Sequence, residues 1–220
     1  MQTITLMRGL RALGHELMFL GSCPVLLEEA AKEQFSVEQL EIGPPPVSFL
    51  HALTFSWRKQ EMRQVLIKKF DALNKQKRID AVLMLSLSEK LLLTDHVVGG
   101  SKVLWVEHDR VGRWLQQNPY LSTLKRCSSL VTTVVVSKLS KRLYVDMGWP
   151  PESVIAIPNG IDLERFNGTS VMERPDAKKL HVGCVARLTN DKGVEVLLEA
   201  MEDMHDLPLT IVGEGKESEY

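Results

Sequence analysis

Short apolar runs alternate with longer stretches of helical period through nearly the whole chain. Ile4, Met7, Leu10 and Leu13 recur on one helical face and predict a first helix, stopped by Gly14. Residues 17–20 read as a short buried strand. A helix is expected after Pro24, then a strand over 37–42 that breaks at Gly43-Pro44-Pro45-Pro46. Met62, Val65, Leu66, Phe70 and Leu73 mark a long amphipathic helix. Strands are predicted at 81–85, 103–106 and 130–136, each followed by a helix, and a last one at 154–157 closes this half.

Continuously apolar strands joined by helical crossovers specify an α/β fold, a doubly wound parallel sheet covered on both faces. In such a sheet ligands bind beyond the carboxyl ends of the strands, so functional residues are sought just after them. Residues 167–179 are polar, lack periodicity and contain Pro175, which predicts a linker. Beyond it the strand–helix–strand pattern restarts at 180–185, 194–204 and 209–212. The expected organisation is therefore a first domain over 1–166, the linker, and the opening of a second domain over 180–220. The first helix has no strand before it to pack on, and 180–220 holds only one βαβ unit. Both ends are thus expected to be cut short.

The 27 Lys+Arg balance 28 Asp+Glu, for a formal net charge of −1. A nucleic-acid binder would show a basic excess, so nucleic acid is excluded as a bulk partner. Cys23, Cys127 and Cys184 lack the paired spacing of a zinc site and read as free thiols of a reducing cytoplasm. No apolar run nears the ~20 residues of a membrane-spanning helix. Residues 58–78 carry eight Lys/Arg against Glu61 and Asp71. That basic face is read first as solvated, with peripheral contact at the inner face of an anionic membrane as the alternative.

The candidate chemistry lies at 182–201. An apolar strand runs into Arg187, Lys192 and Gly193, and then into a helix with Val194, Leu197, Leu198 and Met201 on one side. A helix N-terminus already offers free N–H groups and a positive dipole end. An arginine fork and a lysine point charge added there suit a phosphate, and Gly193 would let the backbone approach it. Asp191 stands close enough in sequence to pair with either cation. His108 follows the strand at 103–106 and occupies a second functional position, unless Asp109 or Glu107 simply pairs with it. Asn159-Gly160 reads as a sharp turn aiming the chain from one domain to the next.

These segments resemble the retaining glycosyltransferases of family four, which have the GT-B fold. The likeness rests on "VIAIPNGIDLERF", "VGCVARLTNDKGVEVLLEAM" and "LTIVGEG", supported by "RALGHELMFL" and "VTTVVVSKLSKRLYVDMGWPPESVIAIPNGID". The resemblance implies a GT-B architecture of two Rossmann-like domains, the first on the acceptor side with its first strand missing, the second binding the nucleotide sugar. It implies transfer of a sugar from a nucleotide diphosphate sugar to a glycan or lipid-linked acceptor with retention at the anomeric carbon. A cytoplasmic role in cell-envelope polysaccharide synthesis goes with it. Arg187, Lys192 and Gly193 would hold the donor diphosphate, with neither metal nor cofactor required. His108 would bond the donor sugar or phosphate. Ala186 stands where the family usually has glycine. The family's downstream pair of glutamates lies beyond residue 220, so this stretch alone is expected to be inactive. A catalytically dead relative used for binding and a GT-B nucleotide-sugar epimerase are the alternatives.

Overall fold

A computed structural model describes residues 2–41, 43–108, 113–161, 163 and 180–216, and the linker predicted at 167–179 lies outside them. The chain divides into two compact units, Met1–Ile161 and Asp162–Tyr220.

In the first unit, helix α1 (Gln2–Ala12) buries Ile4 and Met7 and gives way at Gly14, whose φ of +86° is the left-handed conformation that favours glycine. The expected apolar stripe does not extend to Leu13, which is 76% exposed because the helix ends before it. Strand β1 (Met18–Gly21), helix α2 (Pro24–Lys32) and strand β2 (Ser36–Gln39) follow. Pro24 opens α2 at the first turn, where its missing N–H is not needed. β2 ends at Gln39, three residues before its expected limit, and Ile42 lies outside the described residues.

The long helix α3 spans Phe49–Gln76, capped by Ser48, whose hydroxyl accepts from the His51 N–H. It starts nine residues before the predicted basic segment, and Lys77 and Arg78 fall past its end. Met62 and Leu66 face the core, while Val65 is 43% exposed on the flank. Strand β3 (Ala81–Met84) leads to helices α4 (Leu87–Leu92) and α5 (Thr94–Val97), and β4 (Lys102–Glu107) to α6 (Arg113–Gln116) and α7 (Leu121–Ser128). Strand β5 (Thr132–Val135), helix α8 (Lys138–Asp146) and strand β6 (Val154–Ala156) complete the unit.

Every strand pair is parallel. β3-β4-β5-β6 form one sheet in sequential order, while β1 and β2 pair separately. Trp105, Val135, Val154, Met84, Leu92 and Leu124 form the main core between the larger sheet and its helices. Ile4, Met7, Phe19, Ala30 and Phe35 form a second cluster under α1 and α2. The Trp105 indole N–H donates to Thr94 Oγ1 at 3.1 Å, and Thr94 in turn donates to the Lys90 carbonyl at 2.8 Å. Two fully buried polar groups are thereby satisfied without water. Past β6 the chain is irregular. No turn is assigned over 157–161, where the sequence suggested one at Asn159-Gly160, and Gly160 is not among the positive-φ glycines.

The second unit holds β7 (Val182–Val185), a 3-10 turn over Asn190–Lys192, α9 (Val194–Met201) and β8 (Leu209–Val212), with β7 and β8 parallel. None of its described residues is buried. Leu198, placed by sequence on the packed face of α9, is 50% exposed. A two-stranded sheet with one helix has too few apolar neighbours to exclude water from either.

Replacing Leu124 by alanine should cost about 2–5 kcal/mol of stability, because the side chain is almost wholly enclosed. Leu13→Ala should stay within about 0.5 kcal/mol. Chemical denaturation of both variants measures the contrast.

Amide exchange should be slowest in β4 and β5, each paired on both sides, and fastest among strands in β7 and β8. Mass-spectrometric exchange on the intact chain reads this order, and equal protection in all strands would contradict it.

Candidate functional site

Each unit presents chemistry at the carboxyl ends of its strands. In the second, the β7 chain continues past Val185 alongside the chain leaving β8. The Ala186 N–H donates to the Val212 carbonyl at 3.1 Å and the Leu188 N–H to the Glu214 carbonyl at 3.0 Å. The two loops lie so close that a Cβ at Gly213 would overlap the Ala186 carbonyl, and one at Gly215 the Leu188 carbonyl. The Gly-Glu-Gly sequence is therefore set by backbone crowding.

Arg187 leaves this paired segment, and the turn over Asn190–Lys192 brings Lys192 back towards it. Arg187 Nη2 lies 3.9 Å and Lys192 Nζ 3.7 Å from the same atom, Asp191 Oδ2. Both cations are exposed, Arg187 by 73% and Lys192 by 42%. The Thr189 hydroxyl donates to the other Asp191 oxygen at 2.5 Å. That bond first, and the Lys192 and Arg187 charges after it, hold the Asp191 carboxyl below its ordinary range. The sequence-predicted pair is thus brought together around a single carboxylate oxygen.

Gly193 has φ +64° and ψ +32°, and serves as N-cap of α9 without any side-chain cap. A Cβ there would meet only Val196 Cγ2, at 4.0 Å. Its conformation, and not crowding, calls for glycine. The arrangement can receive an oxyanion between two cations and uncapped N–H groups.

In the first unit, His108 stands one residue beyond β4 and lines a cavity of ≈ 260 Å³. Both its ring nitrogens are buried with no hydrogen-bond partner. Glu107, one of the two partners considered from sequence, turns instead to Lys90, and Asp109 lies outside the described residues.

Lys90 went unnoticed in the sequence. Its side chain is 3% exposed, and Nζ meets Glu107 Oε1 at 2.8 Å, the Val106 carbonyl at 3.2 Å and the Leu85 carbonyl at 3.3 Å. All three donors of the ammonium are used, tying the end of β4 to the chain leaving β3. The neighbouring Ser86 and Glu89 form a capping box, Glu89 Oε2 accepting from the Ser86 N–H at 3.2 Å and the Leu85 N–H at 3.3 Å. Burial pushes the Glu89 carboxyl above its ordinary value, opposed by those N–H groups and the Lys90 charge. The Ser-x-x-Glu spacing at 86–89 signals this turn in the sequence, whereas nothing marks the burial of Lys90.

The Cys127 thiol is pushed up to about 11 by burial and the nearby Asp95, and keeps its proton at neutral pH. Among the described residues no group of three or more His, Cys, Asp or Glu is arranged to hold a metal ion.

Lys90→Met should destabilise by about 3–5 kcal/mol, since it strands the Glu107 carboxylate. The Lys90→Met/Glu107→Gln double variant should recover much of that loss. Thermal melts of both variants and of Glu107→Gln separate the pair from its burial.

Asp191→Asn should raise affinity for pyrophosphate roughly threefold to tenfold, because it removes the anion competing for both cations. With the Asp191 carboxyl held low, the gain should persist at neutral pH and be lost only in acid, where the wild-type carboxyl is itself protonated. Calorimetric titration at several pH values checks both points.

The profile of Glycosyltransferase Family 4 matches residues 1–165. Among curated proteins no sequence matches the chain significantly. Among solved structures, a glycosyltransferase from Rickettsia africae ESF-5 superposes with TM-score 0.68 at 16% identity, over 100% of this chain and 57% of that one. HepE from Anabaena, solved in complex with UDP, gives 0.64 at 14% identity, over 90% of this chain and 53% of its own. The chain thus spans little more than half the length of either neighbour. These likenesses establish the fold: α/β with parallel, Rossmann-like sheets, as in GT-B glycosyltransferases.

Proposed function

We propose that this chain, which belongs to Glycosyltransferase Family 4, forms part of an enzyme that moves a sugar from a nucleotide diphosphate sugar to an acceptor with retention of anomeric configuration. The observation that carries this reading is the meeting of Arg187 and Lys192 on one Asp191 oxygen. That carboxylate oxygen stands where an oxygen of the donor diphosphate would sit. As the glycosidic bond breaks, its electron pair passes to the diphosphate, whose negative charge grows. Cations fixed at that point then stabilise the transition state more than the ground state. Two side-chain cations and the N-terminus of α9 supply this without a metal ion. The neighbour solved with UDP supports a nucleoside diphosphate as the ligand.

His108 would present its unpartnered ring nitrogens to a hydroxyl or phosphate oxygen of the donor. A domain over 1–166 would serve the acceptor, a glycan or lipid-linked chain, with 167–179 as linker and 180–220 as the start of the donor domain. The separation of β1-β2 from β3-β6 supports one strand missing from the first domain. A doubly wound sheet in the order 3-2-1-4-5-6 that loses its central strand leaves a pair and a sequential run. A cytoplasmic location is the setting we favour, with peripheral contact at the inner membrane face as the alternative. No described helix is long and apolar enough to cross a membrane, and α3 offers Lys and Arg for contact with anionic lipid.

In the full-length enzyme, Arg187→Ala and Lys192→Ala should each reduce transfer on the order of a hundredfold. Unfolding temperatures without ligand should hardly change, as both side chains are exposed. Stabilisation by added UDP should shrink in both. Lys192→Arg should restore activity only in part, since a planar fork does not reproduce a compact ammonium. Wild-type turnover and UDP stabilisation in both alanine variants would overturn the reading.

A further inference from the structure

Helix α3 carries an apolar stripe on its solvent side that the fold leaves bare. Leu50, Leu53 and Trp57 are 71%, 48% and 80% exposed. Their spacing of three and then four residues within one helix puts them on a single face. The opposite face is packed: Ala52, Phe55, Met62 and Leu66 are buried, and Phe55 meets the Tyr120 ring edge-on with centroids 5.3 Å apart. The stripe is therefore a ridge on a helix held from behind. Single exposed apolar side chains are ordinary, and α2 and α8 show one each, Val25 and Leu139. Three in register on one helix face mark a surface that something else covers.

The charge around the stripe narrows what that is. Residues 43–60 contain no Asp or Glu, whereas His51 and Arg58 are exposed at the margin of the stripe. Further along the same face Lys68 and Lys75 are exposed, opposed by Glu61, while Asp71 is already bonded to His96 at 2.8 Å. A second copy of the chain, paired about a two-fold axis, would set His51 and Arg58 against their own equivalents with no neighbouring carboxylate to offset them. A convex ridge with scattered cations suits a deformable anionic plane instead. A bilayer takes up apolar side chains at its headgroup boundary without a matching groove, and tryptophan favours that boundary. Each Lys or Arg held beside it adds attraction to anionic lipid.

We propose that the solvent face of the first turns of α3 docks on an anionic lipid bilayer, with Leu50, Leu53 and Trp57 entering the headgroup boundary and Arg58 meeting lipid phosphates. The proposal deepens the peripheral setting named above, on which it rests, and moves the contact from the basic segment 58–78 to the start of the helix. It does not depend on the transferase chemistry.

The test mixes the intact chain with vesicles of phosphatidylcholine alone, and of equal parts phosphatidylcholine and phosphatidylglycerol, and reads sedimentation and tryptophan fluorescence. We expect binding to the mixed vesicles that high salt weakens. Trp57 should be quenched by brominated acyl chains, read as the difference from Trp57→Phe, which should itself keep most of the binding because the ring stays apolar. Trp57→Ser and Leu50→Ser should each weaken binding about tenfold, the worth of one apolar side chain passed from water into the boundary. Both positions are exposed, so neither change should unfold the chain. Arg58→Gln should cost about fivefold, on the mixed vesicles only. Val25→Ser, at a similarly exposed position on α2, should cost nothing. Equal sedimentation with both kinds of vesicle, or an unquenched Trp57, overturns the proposal. So does a chain that ignores vesicles, whether it is a monomer whose stripe then awaits a protein partner or a dimer that Trp57→Ser dissolves in ultracentrifugation. Binding lost in Lys68→Gln/Lys75→Gln but kept in Trp57→Ser would retain the peripheral setting and overturn this docking face. Stabilisation by UDP should be the same in all these variants. Its absence beside intact vesicle binding would count against the transferase reading and leave the docking face standing.

Discussion

The buried Lys90 ammonium fixes the end of the main sheet. Removing a charge from water is costly, and Lys90 tolerates it only because three oxygens surround it: the Glu107 carboxylate, the Val106 carbonyl and the Leu85 carbonyl. Two of these lie on the last residues of β4 and the third on the chain leaving β3. A carbonyl at the end of a parallel strand has no further ladder to join, so the lysine satisfies what the sheet leaves open. His108 follows directly on Glu107, at the same end of β4.

The second unit achieves its local order by other means. It has no buried core among its described residues, and its turn is shaped by backbone contacts. The ladder hydrogen bonds continue from Ala186 to Val212 and from Leu188 to Glu214, and glycine at 213 and 215 is the only residue that fits the gap. That close pairing sets the origin of Arg187, and the 3-10 turn with the left-handed Gly193 sets the return of Lys192. Two exposed cations are gathered without burial, which suits a site that exchanges ligands with water. Asp191 holds them together through one carboxylate oxygen.

The larger sheet, with strands in sequential order and helices between them, and the separate β1-β2 pair belong to one α/β pattern shared with GT-B glycosyltransferases. Because the strands of the larger sheet are parallel, their carboxyl ends point the same way, and the loops that follow them collect at one edge of that sheet. His108 after β4 and Ser86–Lys90 after β3 meet at one cavity for that reason. Trp149, far along the chain, reaches the same cavity because α8 returns it beside β6, where it packs on Tyr144.

By itself the sequence determined the periodic features. Alternating apolar runs gave the parallel α/β class, and Pro24 and Gly14 marked helix ends by their own backbone chemistry. The Arg187, Lys192 and Gly193 grouping was legible because its members lie within seven residues, so a single turn suffices to bring them together. Features built from distant residues were not. Nothing local distinguishes Lys90, within a helix of six residues, from a solvated lysine, since its partners come from β4 and from the turn after β3. Leu13 and Leu198 keep helical spacing yet face water, because periodicity names a face but packing decides how much of it is covered. The Asn159-Gly160 pair suggested a turn by type, and the chain there took an irregular path without a left-handed glycine. Burial and ion pairing depend on contacts between separate elements, and only the tertiary structure could decide them.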